Sequence, residues 1–156
     1  MLFPTHLVAA YLLGRQWRRS VPLVVLGAAL PDLVDKPLGM LGVTDLYHSV
    51  GHSLFALVAV SLLASQSRVL VPLCLGWGSH LVLDAVHMVL NGRPVDVQFL
   101  AWPVIRHTPA VDLPPVAFAV QYVGTPSFFV EVVIWVVFGV VLVTSRRVFD
   151  GGRRPR

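Results

Sequence analysis

Inside apolar stretches of this chain, ionisable residues recur at helical spacing: Asp32 with Asp35, His48 with His52, and His80 with Asp84 and His87. In a helix each set falls on one face, so three segments would turn polar faces toward a common interior point. Neutral imidazole and carboxylate together suit zinc, manganese or iron, and paired carboxylates can bridge two ions. The chemistry predicted is divalent metal binding through His52, His80, Asp84, Asp32 and Asp35, with His6 and His48 as further ligands. Zinc is the first choice of ion, with manganese and iron as alternatives. Such an ion brings the pKa of bound water near 7, so hydrolysis needs no serine or cysteine nucleophile. A spare carboxylate, Asp35 or Glu131, is the expected general base.

The surrounding composition says what must hold these groups. Of 156 residues 56% are hydrophobic and 13% charged, and the mean hydropathy is +0.76, which takes the chain outside the range of soluble domains and makes lipid its expected solvent. The net charge of +4 does not point to nucleic acid, because the arginines form short clusters between apolar runs instead of a stripe on one helix. A lone Cys74 within an apolar run excludes an internal disulfide and a thiolate metal site.

Apolar runs cover Leu2 to Leu13, Val21 to Val34, Ser53 to Ala64, Val69 to Leu90 and Phe128 to Val143. The expected fold is an all-α integral membrane protein, a bundle of about five short transmembrane helices with an outer interfacial segment. One membrane-embedded domain, residues 1–150, would be followed by a disordered basic tail, residues 151–156. Met1 to Gly14 lacks a basic start and a small-residue cleavage site, which predicts a retained first helix in place of a signal peptide. Five spans place Arg15, Arg18, Arg19, Arg68, Arg146, Arg147, Arg153, Arg154 and Arg156 on one side and Lys36, Arg93 and Arg106 on the other. By the positive-inside rule the N-terminus is then outside and the C-terminus cytoplasmic, in a multi-pass cell-membrane topology. The stretch Asn91 to Pro126 carries five prolines and the aromatics Phe99, Trp102, Phe118 and Tyr122 between its ends, a composition suited to an interfacial cover.

Ionisable groups at membrane depth each cost about 2.5–3.5 kcal/mol, so a group of them requires compensation. Counting about 1.5 Å of rise per residue from the nearest cytoplasmic arginine puts His80 about 18 Å up, Asp32 about 20 Å, and His52 and Asp84 about 24 Å. On the same scale Glu131 lies about 22 Å up and His6 about 14 Å, lower than the rest. His87 falls near the interface beside Asn91. Gly51, Gly76 and Gly78 are expected to let backbones approach, and Ser53 and Ser79 to orient ligands from behind.

Thr5-His6, Leu30-Pro31-Asp32 with Asp35, His52-Ser53-Leu54 and Ser79-His80 with Asp84 together resemble the membrane-bound metal-dependent hydrolases, the YdjM-like inner-membrane proteins. The resemblance runs from residue 5 to Trp102-Pro103, similar to a Trp-Pro element of that family. It implies a multi-helix membrane protein with metal-dependent hydrolase activity, and His6, Asp32, His52, His80 and Asp84 as the matching positions. One departure is that the family places a His-Arg pair before its His-Ser, whereas His48 is followed by Ser49 and Val50. His80 and Asp84 also resemble a His-x-x-x-Asp pattern of zinc-dependent phospholipases C, which implies a phosphoester.

The function expected is therefore hydrolysis of an ester or phosphoester, in a membrane lipid, by metal-activated water. An oligomer is compatible with the short helices, whose polar faces a partner subunit would shield. The alternatives are metal or proton transport and a structural membrane protein with a buried polar cluster. Transport requires groups at several depths, yet Val8 to Leu13, Leu57 to Leu63 and Val69 to Leu75 are almost wholly apolar. Haem ligation by His52 and His80 is disfavoured by the acidic residues around them. No His-Glu-x-x-His, Gly-x-Ser-x-Gly or Gly-x-x-x-x-Gly-Lys motif occurs, which argues against zincin, serine-hydrolase and ATP-driven mechanisms.

Overall fold

A computed structural model of the chain describes residues 1–44, 47–64, 67–106 and 113–151. All regular structure among them is helical: α1 (Phe3–Gln16), α2 (Val21–Met40), α3 (Leu54–Ala64), α4 (Leu70–Leu90), a 3-10 segment (Pro94–Ala101), α5 (Pro115–Tyr122) and α6 (Pro126–Gly151). The all-α class read from the sequence is the class adopted. Gly151 closes α6, while the remainder of the expected tail, 152–156, and the middle of the outer segment, 107–112, lie outside the described residues. Proline opens α1, α2, the 3-10 segment and α5, since its fixed φ suits a first turn and its missing N–H would find no helical partner there.

Length separates the helices. α4, with 21 residues, and Pro126–Ser145 of α6, with 20, are the two described helices long and apolar enough to cross a bilayer. α1 has 14 residues and α3 has 11, about 21 Å and 17 Å of helix against roughly 30 Å of hydrocarbon. α2 reaches 20 residues but carries Asp32, Asp35 and Lys36 in its second half. Five full-length spans therefore do not follow from length and composition. α6 is apolar on every side and leaves Phe129, Val132, Val133, Val136, Val140 and Val143 exposed, a surface suited to lipid and poorly to water.

α4 is the central element, packed on α1, α2, α3, α6 and the 3-10 segment. Its closest partner is α2, and two glycines explain how close. A Cβ on Gly27 would overlap the Leu73 carbonyl, and one on Gly76 the Val24 carbonyl, so each helix is bare where the other's backbone passes. Gly51 sits against Pro31 in the same way. Gly78 meets only Leu57 at ordinary contact distance, so the close approach expected there is made at Gly27 instead.

The apolar core is small: Ala10, Val24 and Ala28 between α1 and α2, and Leu81, Met88 and Phe99 between α4 and the 3-10 segment. The largest fully buried side chains are histidines, His6, His52 and His80. Burying imidazole in place of leucine sacrifices favourable apolar transfer, and the sacrifice is concentrated where α1, α2, α4 and the turn before α3 meet.

Candidate metal centre

The turn 49–53, between α2 and α3, is organised by Asp35. Its Oδ2 accepts Ser49 N–H at 2.6 Å, His52 N–H at 3.1 Å and the His52 Nδ1–H at 2.7 Å, while Oδ1 accepts the Ser49 hydroxyl and Gly51 N–H, both at 2.9 Å. Both oxygens are thus occupied, and Asp35 is fully buried. The sequence reading gave Asp35 the parts of ligand and general base; its geometry is that of a group holding the turn and the His52 ring. Ser49 was not singled out by that reading, although an Asx-type partner for a nearby buried carboxylate is a recurrent use of serine. Ser53 donates to the Trp102 carbonyl at 2.6 Å and Ser79 to the Gly76 carbonyl at 2.7 Å, so neither orients a ligand as expected.

A carboxylate oxygen has no proton to give, so His52 Nδ1 carries the hydrogen and, in neutral imidazole, Nε2 presents its lone pair inward. The same reasoning fixes two further rings. His80 Nδ1 donates to the Ala28 carbonyl at 2.7 Å. His6 Nδ1 donates to the Leu2 carbonyl at 3.1 Å. His6 and His80 stack with ring centroids 3.9 Å apart.

The three Nε2 atoms converge on one another and on two carboxylates. His52 Nε2 and His80 Nε2 are 3.2 Å apart. Asp84 Oδ2 lies 3.1 Å from His80 Nε2 and 3.5 Å from His52 Nε2, and Asp32 Oδ1 lies 3.5 Å from His52 Nε2 and 3.8 Å from His80 Nε2. The other Asp84 oxygen, Oδ1, is 3.0 Å from His6 Nε2 and 3.2 Å from the Met1 amine. The three Nε2 lone pairs and Asp84 Oδ2 are acceptors facing acceptors, an arrangement that a cation among them would relieve; the cations present stand at its edge, the Met1 ammonium on Asp84 Oδ1 and Lys36 on Asp32 Oδ1.

The donor set fits a divalent ion. Zinc bonds of about 2.0–2.1 Å in tetrahedral geometry separate neighbouring ligand atoms by roughly 3.4 Å, and the five separations among Asp32, His52, His80 and Asp84 given above run from 3.1 to 3.8 Å. Three overlapping triads are close enough to hold an ion: His6, His80 and Asp84; Asp32, His52 and His80; His48, His52 and Asp84. The Nδ1 hydrogen bonds of His6, His52 and His80 supply the outer support that orients a metal-binding imidazole.

No family model, curated protein or solved structure matches the chain. Whatever the centre does must therefore be read from its own geometry.

Of the expected metal ligands, the fold brings together His6, Asp32, His52, His80 and Asp84. His48 is at the rim, half-buried, with Nε2 4.0 Å from Asp84 Oδ2 and its ring edge-on to His52. His87 stands apart: its Nε2 accepts from Arg93 at 3.3 Å, so its Nδ1 carries the hydrogen and donates to the Ser127 hydroxyl oxygen at 2.7 Å. Glu131, the other expected base, faces the start of α1: it accepts Leu2 N–H at 3.3 Å and the Thr5 hydroxyl, and Trp135 Nε1–H completes the contact by donating to Thr5 at 2.9 Å. Through these bonds Glu131 joins α6 to α1, away from the imidazoles of the centre. His6, placed lowest by counting along the helix, is fully part of the cluster, because residues-per-ångström depth ignores how short helices tilt and cross.

Proposed function

We propose that the chain is a membrane-embedded metal-dependent hydrolase of esters or phosphoesters carried by lipids. One observation carries the reading: three imidazoles whose Nδ1 hydrogens are committed outward turn their Nε2 lone pairs onto one another and onto Asp32 and Asp84. Zinc is the ion proposed, since mixed imidazole and carboxylate donors at these separations suit its tetrahedral preference. A bound divalent ion would supply Lewis acidity and a water acidic enough to ionise near neutral pH.

The chain's own groups do the rest. His52, His80, Asp84 and Asp32 would hold the ion, with His6 on the second Asp84 oxygen. Asp35 and the Ala28 carbonyl fix the tautomers of His52 and His80, keeping both rings aimed inward. His48, at the rim, is the one imidazole of the cluster that is not fully buried, its side chain 19% exposed, and it is the proton carrier proposed between centre and substrate. The order of Thr5-His6, Leu30-Pro31-Asp32, His52-Ser53 and Ser79-His80 supports membership of the membrane-bound metal-dependent hydrolases. The apolar faces of α4 and α6 support a bilayer location, and the arginine distribution supports a multi-pass topology of about five segments with N-out, C-in orientation. The shorter helices then sit at membrane depth shielded by their neighbours.

The test is elemental analysis of detergent-purified protein beside His80→Ala and Asp84→Ala. Stoichiometric zinc, manganese or iron in the wild type, lost in both variants with the fold retained by circular dichroism, is the expected result. Protein that stays metal-free in metal-supplemented buffer would overturn it, leaving protons as the cations of the cluster.

A further inference from the structure

Beside the centre lies a cavity of about 350 Å3 that Asp32, His48 and Asp84 line on one side. Two cationic side chains from separate elements also line it, Lys36 of α2 and Arg93, which follows α4. Lys36 Nζ lies 3.4 Å from Asp32 Oδ1 with the side chain 30% exposed. Arg93 is braced by Asp96 at 2.8 Å and by the His87 Nε2 at 3.3 Å. Leu2, Phe3, Met88 and Phe118 add apolar surface to the same lining.

A neutral carboxylic ester offers a lysine and a braced arginine a carbonyl acceptor but no charge to pair. A phosphate ester does: its oxygens accept from the guanidinium fork, which has donors to spare after its two present bonds, and from the ammonium group. Braced by Asp96, the Arg93 side chain has less conformational freedom to lose on binding. The apolar part of the lining suits an alkyl chain, and the volume is that of a site for a headgroup and the start of its chain.

We propose that this cavity binds a phosphate ester borne on an alkyl chain, with Lys36 and Arg93 receiving the phosphate and Leu2, Phe3, Met88 and Phe118 the adjoining chain. The proposal rests on the hydrolase reading and narrows its substrate class, since a divalent ion must offset Asp32 and Asp84 before an anion can approach them.

The experiment is calorimetric titration of the purified, metal-supplemented protein with hexyl phosphate, inorganic phosphate and hexanol, each sample's metal content being measured alongside. Hexyl phosphate is expected to bind at least about tenfold more tightly than either fragment. Arg93→Gln and Lys36→Gln are each expected to weaken it about tenfold, the loss of a charge-assisted contact, and Arg93→Lys to restore part of the loss. Arg93→Gln is the decisive variant, because Arg93 contacts His87 and Asp96 and no member of the centre; thermal unfolding verifies its fold. Equal binding of inorganic phosphate would overturn the alkyl-chain half of the proposal and leave a free-phosphate site. Equal binding of hexanol, no binding of hexyl phosphate, or full affinity in Arg93→Gln would overturn the whole. Absent metal is read separately and counts against the hydrolase reading.

Discussion

Replacing Asp35 by asparagine distinguishes a residue that holds a ligand from one that is a ligand. The carboxylate accepts five hydrogen bonds, three on Oδ2 and two on Oδ1. Asparagine keeps one acceptor. With its oxygen at the Oδ2 position it retains Ser49 N–H, His52 N–H and the His52 Nδ1–H, so the imidazole keeps its tautomer. Its NH2 then faces the Ser49 hydroxyl, which can rotate to accept, and Gly51 N–H, which cannot. One buried donor left unpaired costs about 1–3 kcal/mol, and the three retained bonds lose their charge assistance. A total loss of about 2–4 kcal/mol is expected in thermal or denaturant unfolding in detergent. Metal affinity, measured by chelator competition, is expected to fall about 10- to 100-fold while saturation remains attainable. Asp35→Ala strands Ser49 N–H, Gly51 N–H and the His52 Nδ1–H together, leaving His52 N–H only the Ser49 carbonyl at 3.2 Å, and no folded protein is expected. Two results would refute the reasoning: Asp35→Asn that folds but takes up no metal at any concentration, which would make Asp35 a ligand, or Asp35→Asn indistinguishable from wild type in both assays.

Two further substitutions test the frame around the centre. Gly76→Ala, which drives a methyl group into the Val24 carbonyl, is expected to unfold the chain or lower its melting temperature sharply, whereas Gly78→Ala, with Leu57 at 3.5 Å, should be tolerated within about 0.5 kcal/mol in the same melt. Glu131→Gln is expected to weaken the joint between α6 and α1 by about 1–2 kcal/mol in thermal unfolding and to leave metal content unchanged; metal lost in the folded variant would place Glu131 in the centre after all.

The ligand types were legible in the sequence because their costs are local. A histidine or aspartate among leucines and valines is conspicuous wherever the chain goes, and the spacing of His80 and Asp84 assigns both to one face of a single helix without knowledge of any neighbour. Helical class and the length of α4 and α6 were likewise written in long, mostly apolar runs. The division of labour within the cluster was not. Asp32 and Asp35 differ by less than one turn of α2, yet one faces two imidazoles and the other is saturated by the 49–53 turn. That difference depends on where the turn docks, which Gly51 against Pro31 decides. Glu131 matched the others in depth and still joined a different contact, since depth along one helix fixes height but not the direction a side chain faces in an assembled bundle. His6 shows the converse, entering the centre from a helix that counting placed too low. Sequence alone thus determined which groups must be compensated, because transfer energies belong to residues. Which of them meet, and which merely hold the others in place, was decided by helix crossing at Gly27 and Gly76, because crossing geometry belongs to pairs of helices.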